Sequence, residues 1–351
     1  MKIIHIIDSF RIGGVEIGIL SLLNSNKDYK VITVNGCDIE LYNSLSKDQR
    51  KKIIIFNSYY YALRYLIKEK PNIVISSLWR SHILTLIYGL FNKHFKKIHF
   101  VHNSRFSHKV DKFITLLSLK RAHVVFFDSI GSKLWINKYK IIKDIQTKVI
   151  PMNISFSKEK RYFKPNDLSF VYTGRISEVK RIDLANLFIA ELINMGLNPK
   201  FHIFGPDSGS YQKIKDNIKD LNLEKNVFLH EKINPLLIEE KLRNYNFYLQ
   251  TSEAEGMAIS VFQSIKNGLL PIITPVGEIP NYTEDGINAI YFDSSNIKKS
   301  ASYFYNYYLS DFHNFKIGFI KNKNNYPTFS ENFFNSIDEI VEELKKNPNK
   351  E

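Results

Sequence analysis

The sequence predicts an α/β fold made of two doubly wound, parallel-sheet domains, and three observations support this prediction. Short apolar runs of strand length alternate with stretches of helical periodicity along most of the chain, which is the pattern of parallel strands joined by crossover helices. A polar stretch at 156–166 interrupts the alternation, which then starts again; such a restart indicates a second domain. At 351 residues, the chain is long enough for each domain to bury its own core.

In the first half, apolar runs predict strands, and segments whose apolar residues recur every three or four positions predict helices. The predicted strands are 2–8, 30–34, 52–56, 72–76, 98–102, 123–128 and 148–151. The predicted helices are 15–23, 60–68, 82–91, 109–119 and 132–139.

The same rules apply to the second half, where the strands are 168–172, 200–205, 226–229, 247–249, 269–274 and 289–292 and the helices 182–194, 258–267 and 297–308. The end of the chain, 329–346, is predicted to form an amphipathic helix. Its apolar side consists of Phe333, Ile337, Ile340, Val341 and Leu344. The predicted division is a first domain 1–155, a linker 156–166, a second domain 167–325 and a C-terminal helix segment 326–351.

Composition points to a folded protein of a reducing compartment. Apolar residues make up 44% of the chain, as in globular proteins. Cys37 is the only cysteine, so no internal disulfide can form, which suits the cytoplasm. The start, MKIIHIID, lacks the long apolar core of a signal peptide, and the most apolar stretch, 83–91, has about half the length that spans a bilayer. We expect a cytoplasmic protein with no membrane-spanning segment.

The net charge of +14 belongs to the first half of the chain. Residues 1–150 carry 25 Lys and Arg against 10 Asp and Glu, whereas the rest carries 24 against 25. Within 93–121 there are eight cations and one acid, interleaved with Phe95, Phe100, Phe106 and Phe113. A basic surface with exposed aromatic residues suits anionic lipid headgroups, and also phosphate-bearing acceptors or nucleic acid; the alternative is a solvated Lys-rich face. The predicted acceptor-side or membrane-side cations are Lys93, Lys96, Lys97, Arg105, Lys109 and Lys112.

The stretch 246–290 carries the most chemically informative pattern. A polar loop with Ser252, Glu255 and Gly256 lies between the strand 247–249 and the helix 258–267, and such loops lie at the carboxyl ends of parallel strands, where α/β proteins bind ligands. Gln263 follows Glu255 by eight residues, which is roughly 12 Å along a helix, the length scale of a nucleotide-sugar. The alternative is a solvated loop acid and a polar residue on an outer helix face.

Five further residues, at three places in the sequence, fall at the ligand edges of the predicted sheets. Gly13 and Gly14 lie between a strand and a helix, where backbone N–H groups can face a phosphate. His102 ends a strand, although a histidine there is usually structural. Arg175 and Lys180 flank the start of the helix 182–194, where two cations and a positive helix end could converge on a diphosphate; the alternative is two surface cations.

These motifs together resemble those of retaining glycosyltransferase family 4 in the GT-B superfamily. The resemblance rests on S-x-x-E-G at 252–256, G-x-x-P at 268–271, T-x-V-G-x-I-P at 274–280, G-G-x-E at 13–16 and G-R-x-x-x-x-K at 174–180. It implies a GT-B fold, in which two Rossmann-like domains face a central cleft and the C-terminal helix crosses back to the first domain. The chain departs from the family pattern at Gln263 and Asn281, where the family usually has glutamates, and at Glu278, where it usually has a glycine.

The resemblance also implies roles for individual residues. Glu255 and His102 would hold the donor sugar, and Arg175 and Lys180 would stabilise the leaving diphosphate. The remaining donor-binding residues would be Gly13, Gly14, Ser252, Gly256, Met257, Ala258 and Gln263. The implied reaction is metal-independent transfer of a hexose, with retention, from a nucleotide-sugar, expected to be UDP-linked. We expect no metal, because the sequence has no Asp-x-Asp pair, and no cofactor besides this co-substrate.

The expected acceptor is a cell-surface glycan or a lipid-linked one, as in lipopolysaccharide, O-antigen or capsule synthesis, and the expected location is the inner face of the cytoplasmic membrane, held peripherally. Three other functions remain open. A non-catalytic nucleotide-sugar-binding or partner subunit of the same fold would explain the departures at Gln263, Glu278 and Asn281. A nucleic-acid-binding protein would explain the charge, although no zinc-ligand, RRM or basic-zipper pattern is present. A sugar-nucleotide epimerase is compatible because fold does not fix function.

Overall fold

The chain folds into two compact units, each with its own parallel sheet. The computed structural model describes residues 1–11, 14–102, 105–152, 167–234, 237–310, 317 and 328–346. One unit consists of Met1–Ile154 with Tyr326–Glu351, and the other of Ser155–Asn325. The predicted linker 156–166 lies outside the described residues. Two Rossmann-like units with parallel sheets confirm the predicted fold class.

The first unit contains a seven-stranded sheet with the strand order β3-β2-β1-β4-β5-β6-β7. Its strands are β1 (Ile3–Ile7), β2 (Tyr29–Thr33), β3 (Ile53–Ile54), β4 (Ile73–Ser77), β5 (Lys96–Val101), β6 (Val124–Phe127) and β7 (Gln146–Val149). All neighbouring pairs are parallel. The strand order reverses between β1 and β4, so the loops after these two strands leave a crevice of the kind in which open α/β sheets bind ligands.

Helices cover this sheet. They are α1 (Gly14–Leu22), α2 (Ile39–Asn43), α3 (Lys47–Lys51), α4 (Tyr59–Glu69), α5 (Trp79–Phe91), α6 (Lys109–Lys120) and α7 (Ile130–Asn137). The sequence did not predict α2 and α3, because five residues are too few to show helical periodicity. Their capping residues are nevertheless clear: Asp38 accepts from the N–H groups of the first turn of α2, and Ser46 and Gln49 form a capping box at α3.

The C-terminal helix α14 (Phe329–Lys346) belongs to the first unit, which confirms the prediction that the end of the chain returns there. Phe333 and Ile337 are fully buried, and Phe333 stacks against His5 of β1 at 6.1 Å between ring centroids. Asp338 pairs with Lys27 at 2.7 Å. The side chain of Leu344, predicted on the apolar side, lies outside the described part of the structure.

The second unit contains a six-stranded parallel sheet in the order β10-β9-β8-β11-β12-β13. Its strands are β8 (Ser169–Thr173), β9 (Lys200–Phe204), β10 (Val227–His230), β11 (Phe247–Gln250), β12 (Leu270–Ile273) and β13 (Ile290–Tyr291). Its helices are α8 (Ile182–Asn194), α9 (Tyr211–Asp220), α10 (Ile238–Leu242), α11 (Ile259–Lys266), α12 (Ile279–Tyr282) and α13 (Ile297–Ser310). Phe170, Phe188, Phe247 and Phe304 are fully buried between the sheet and the helices α8 and α13. Within the described part of the chain, no helix has the length and apolar character required to cross a membrane.

Candidate functional site

A buried carboxylate organises the carboxyl edge of the second sheet. Glu255, in the loop between β11 and α11, accepts hydrogen bonds from Lys180 Nζ at 2.6 and 2.7 Å, one to each oxygen. Ser252 Oγ donates to Oε1 at 2.6 Å, and Gln250 Nε2 donates to the same oxygen at 2.9 Å. The side chain of Glu255 is only 11% exposed and that of Lys180 17%. The predicted sugar-binding acid and one of the predicted diphosphate-binding cations therefore form one ion pair.

This environment keeps Glu255 ionised. Burial by itself would raise the pKa of the carboxyl group, but the charge of Lys180 and the hydrogen bonds from Lys180, Ser252 and Gln250 outweigh it and hold the pKa below its ordinary value. Oε1 accepts three of these four hydrogen bonds and Oε2 accepts only one, so Oε2 keeps the capacity to accept another. It remains suited to accept hydrogen bonds from a ligand's hydroxyl groups.

The backbone around Glu255 is held by the loop that follows β12. Gly277 has a φ of +64°, and a Cβ atom there would lie 2.3 Å from the carbonyl oxygen of Glu255. The N–H of Glu278 donates to the carbonyl of Gly256 at 3.0 Å, and the hydroxyl of Tyr282 donates to the carbonyl of Met257 at 3.1 Å. The T-x-V-G-x-I-P segment thus acts as a brace for the S-x-x-E-G loop, and only glycine fits at position 277.

The helix α11 starts from an unusual backbone conformation. Ala258 has a φ of +51° and a ψ of +59°, a left-handed conformation that is unfavourable for a residue with a Cβ atom. Its carbonyl accepts from the N–H groups of Val261 and Phe262. Met257 and Ala258 are both buried. Local strain of this kind is concentrated at functional sites; the donor-binding role of this turn stays a prediction.

Gln263 is less accessible than the sequence suggested. It lies on the buried side of α11 with 2% of its surface exposed, and its Nε2 atom has no hydrogen-bond partner among the described residues. Glu278 is equally buried, and its Oε1 atom accepts from Asn281 Nδ2 at 3.0 Å. Two of the three departures from the family pattern are therefore paired with each other. The ribose contact of Gln263 stays a prediction.

The loop after β8 brings the second predicted cation to the same edge. Gly205 lies so close to Gly174 that a Cβ atom at position 205 would be 1.8 Å from the Gly174 carbonyl oxygen. This contact fixes the start of the loop that carries Arg175, whose side chain is exposed. Thr251 Oγ1 donates to the carbonyl of Arg181 at 2.6 Å, and so the end of the loop is tied to the residues that precede Glu255.

Arg175 and Lys180 differ in how far their charges are already engaged. The positive charge of Lys180 is compensated by its ion pair with Glu255. The guanidinium of Arg175 makes no hydrogen bond or ion pair within the described part of the chain. An exposed guanidinium can bind two phosphate oxygens at once. Arg175 is therefore the stronger candidate for the first contact with a diphosphate.

His102 lies in the first unit, directly after β5. Its Nε2 atom is 2.8 Å from Ser77 Oγ, and burial, together with the nearby His5, lowers its pKa to about 3. The imidazole is therefore neutral at physiological pH. Gly14 is the first residue of α1, whereas Gly13 lies outside the described residues.

The predicted basic surface needs one correction. Lys97 is buried, with 5% exposure, because it lies inside β5 in the middle of the sheet; burial and the nearby Arg121 lower its pKa to about 8. Phe100 lies in the same strand and Phe95 directly precedes it; both were predicted as exposed aromatics and are core residues. Lys93, Arg105, Lys109 and Lys112 are exposed and Lys96 is partly buried.

Sequence reasoning missed the supporting residues Gln250 and Tyr282, and it included Gly277 in the T-x-V-G-x-I-P motif without giving it a role. Gln250 is a polar residue at the end of an apolar strand, and that position alone could have marked it, because the last residue of a parallel strand faces the ligand edge. Tyr282 gave no signal, since its contact depends on how two loops pack. Among the described residues, no group of three or more His, Cys, Asp or Glu side chains is arranged to hold a metal ion.

Comparison with known proteins identifies the fold. Residues 153–311, somewhat under half of the chain, match the family model described as "Glycosyl transferases group 1". A search of curated proteins gives no significant match. Three similar solved structures are HepE from Anabaena in complex with UDP and glucose (TM-score 0.81, 13% identity, 96% of this chain and 99% of that chain), the lipopolysaccharide outer core galactosyltransferase WaaB in its apo form (0.66, 19%, 97% and 99%), and sucrose-phosphate synthase from Thermosynechococcus elongatus (0.71, 12%, 88% and 90%). The chain has the fold of GT-B glycosyltransferases.

Proposed function

We propose that this protein is a retaining, metal-independent glycosyltransferase of family 4 that transfers a hexose from a UDP-sugar to a cell-surface or lipid-linked glycan. The observation that carries the proposal is the cluster around Glu255, in which the G-R-x-x-x-x-K and S-x-x-E-G motifs meet through an ion pair of 2.6 Å. The match to a group 1 glycosyl transferase model over 153–311 supports it. So do the structures of the similar protein HepE, which are complexes with UDP, with UDP and glucose, or with UDP-glucose.

The side chains have distinct tasks in the proposed reaction. The bond between the anomeric carbon and the diphosphate oxygen breaks, and negative charge accumulates on the diphosphate, where Arg175 and Lys180 stabilise it. The acceptor oxygen bonds to the anomeric carbon on the face that the diphosphate leaves, which retains the configuration. A diphosphate oxygen takes the acceptor's proton, so no basic side chain is required. Glu255 accepts hydrogen bonds from sugar hydroxyl groups, and His102 contacts the sugar as a neutral imidazole.

The proposed acceptor is carried by a membrane, and the exposed side of α6 supports this part. Lys109, Val110, Lys112 and Phe113 are all exposed, whereas Asp111, the one acid of the helix, is buried and accepts hydrogen bonds from Ser107 N and Thr115 Oγ1. The outer face thus combines cations and apolar side chains without an opposing charge from its own helix. Such a face suits an anionic bilayer surface, where each cation adds about 1 kcal/mol. Lipopolysaccharide, O-antigen or capsule precursors are acceptors of this kind.

The first test is calorimetric titration with UDP, with GDP as a comparison, followed by a screen of UDP-hexoses for hydrolysis and transfer in the presence of EDTA. We expect UDP to bind with micromolar affinity and Arg175→Ala to lower that affinity at least tenfold, since a charge-assisted contact is lost. Lys219→Ala, which removes an exposed cation from α9 of the same unit, is the control and should change nothing.

The possible results separate the proposal from its alternative. UDP binding with EDTA-resistant turnover of a UDP-hexose supports the transferase. Binding of intact UDP-sugars without turnover, under all acceptors tried, would favour a non-catalytic nucleotide-sugar-binding subunit, for which the buried Gln263 is the motivating observation. An absence of binding to either nucleotide would contradict the transferase and a nucleotide-sugar-binding subunit, and would favour a non-catalytic partner subunit of the same fold.

A further inference from the structure

A line of four polar side chains runs through the interior of the first unit and ends at His102. Tyr29 OH lies 2.9 Å from His5 Nδ1, His5 Nε2 lies 2.7 Å from Ser77 Oγ, and Ser77 Oγ lies 2.8 Å from His102 Nε2. Tyr29 and His5 are 1% exposed and Ser77 is 0% exposed. These residues lie on β2, β1 and β4, which are neighbours in the sheet, so the line crosses the sheet at the switch in strand order.

The two ends of this line have different surroundings. The Tyr29 ring meets Phe333 and Phe334 of α14 edge to face, at 5.9 and 5.6 Å between centroids, and its hydroxyl bonds only to His5 within the described residues. At the other end, His102 Nδ1 is buried and has no hydrogen-bond partner among the residues that the structure describes. Within this described part of the chain, it is the only hydrogen-bonding side-chain atom of the four residues that is left without one.

The chemistry of Ser77 gives the line a direction. A serine hydroxyl has one proton, so between two histidine nitrogens it must accept from one and donate to the other. If Tyr29 donates to His5, then His5 donates to Ser77, Ser77 donates to His102 Nε2, and the proton of His102 lies on Nδ1. In the reverse direction the Tyr29 hydroxyl proton would point at Phe333 and Phe334, and His102 Nδ1 would be an unpaired acceptor. Counted over the described residues, the first direction leaves one polar group unpaired and the reverse leaves two; unpaired buried groups are avoided.

We propose that Tyr29, His5 and Ser77 are positioning residues that hold His102 in the tautomer protonated on Nδ1, so that His102 donates a hydrogen bond to an oxygen of the sugar and does not act as a base. The identity of this ligand rests on the proposed function. Both imidazoles are neutral at physiological pH. Burial lowers the pKa of His5 to about 3. Burial and the nearby His5 lower the pKa of His102 to about 3 as well. The free Nδ1–H is a buried donor that a ligand oxygen can satisfy.

Nitrogen NMR of the full-length, ligand-free protein with labelled imidazole rings tests the direction of the line. The signals of His102, assigned by their loss in His102→Asn, should be those of the neutral tautomer protonated on Nδ1. Tyr29→Phe removes only the hydroxyl that sets the direction, and it should give His102 a mixture of tautomers. Tyr88→Phe is the matched control, because Tyr88 is equally buried in the same unit and its hydroxyl bonds to Asn92, away from the line. A wild-type His102 protonated on Nε2, or a spectrum unchanged by Tyr29→Phe, overturns the proposal.

Kinetics with the UDP-sugar found in the donor screen test the consequence. Tyr29→Phe should lower kcat/KM by roughly 5-fold, the effect of one neutral hydrogen bond in the transition state, and should leave the Kd of UDP unchanged, since UDP has no sugar to contact His102. Tyr88→Phe should alter neither quantity. If the wild-type protein has the Nδ1–H tautomer but shows no turnover, the hydrogen-bonded line stands and the proposed function is refuted. If the tautomer is as expected but Tyr29→Phe leaves kcat/KM unchanged, the role of the line in catalysis is refuted.

Discussion

The Lys180–Glu255 pair illustrates how two residues with separate predicted tasks depend on one another. Their nitrogen and oxygen atoms are 2.6 Å apart and both side chains are largely buried. A ligand diphosphate that approaches Lys180 must share this cation with Glu255, whereas Arg175 has no such competitor among the described residues. The pair therefore keeps Glu255, the proposed sugar-binding acid, ionised and oriented, and Arg175 supplies the charge that is proposed to bind phosphate.

Removing one partner of this pair should be more harmful than removing both. Lys180→Met leaves Glu255 ionised and buried without its cation, and we expect the free energy of unfolding to fall by about 3 kcal/mol. Adding Glu255→Gln removes the unpaired charge and should restore at least half of that loss. Urea denaturation of the two single variants and the double variant measures this; strict additivity of the two single effects would show that the side chains do not interact.

The same pair should make stability depend on pH in a defined window. A carboxyl group whose pKa in the folded state lies below its unfolded value, about 4.3 for glutamate, adds stability above the unfolded pKa and loses it as the pH falls through the folded pKa. The pKa of Glu255 is lowered in this way. The difference in unfolding free energy between wild type and the double variant should thus be constant from about pH 7 to 5 and shrink below about pH 4. A difference that grows on acidification would contradict the assignment.

At the scale of elements, the brace between the loops after β11 and β12 holds the site. Gly277→Ala should shift the Glu255 and Gly256 carbonyls, because the new Cβ atom would lie 2.3 and 2.7 Å from them, and UDP affinity should fall at least tenfold. Gly196→Ala is the control: that glycine also has a positive φ, +87°, but nothing lies within 4 Å of its Cβ position. Both substitutions place a Cβ atom on a residue with a positive φ and therefore cost backbone strain. If the two variants bind UDP equally well in calorimetry, the loop after β12 does not hold the site in place.

The elements were predictable from sequence to the extent that they are long and periodic. Helices α8 and α14 have the predicted bounds, since their apolar stripes extend over three turns or more. Local patterns failed where tertiary packing decides. Lys97 belongs to a basic run, yet it is buried because β5 is a central strand. The pairing of Lys180 with Glu255, 75 positions apart, and the contact of Gly277 with Glu255 depend on loops meeting at one edge of a sheet. The sequence could indicate this edge but not these contacts.

At the scale of the whole molecule, the net positive charge is concentrated in one of the two units. The net positive charge belongs to residues 1–150, which lie in the first unit, and residues 151–351 are nearly neutral. On α6 this charge accompanies the exposed Val110 and Phe113, which are 55% and 66% exposed. Cations alone would give a salt-sensitive attraction to any polyanion, including nucleic acid. The apolar pair favours the proposed bilayer surface over nucleic acid, since it can enter the boundary between headgroups and acyl chains.

Vesicle flotation separates these partners. We expect the protein to float with phosphatidylglycerol vesicles and not with phosphatidylcholine vesicles, and Phe113→Ser to reduce the bound fraction at least threefold, because a large apolar side chain no longer enters the bilayer. Leu309→Ser, at a 64% exposed position of the second unit, removes a comparable apolar side chain where the charge is balanced and should leave flotation intact. If Phe113→Ser floats like the wild type and binding disappears on adding moderate salt, the attraction is purely electrostatic, and α6 is not a membrane anchor.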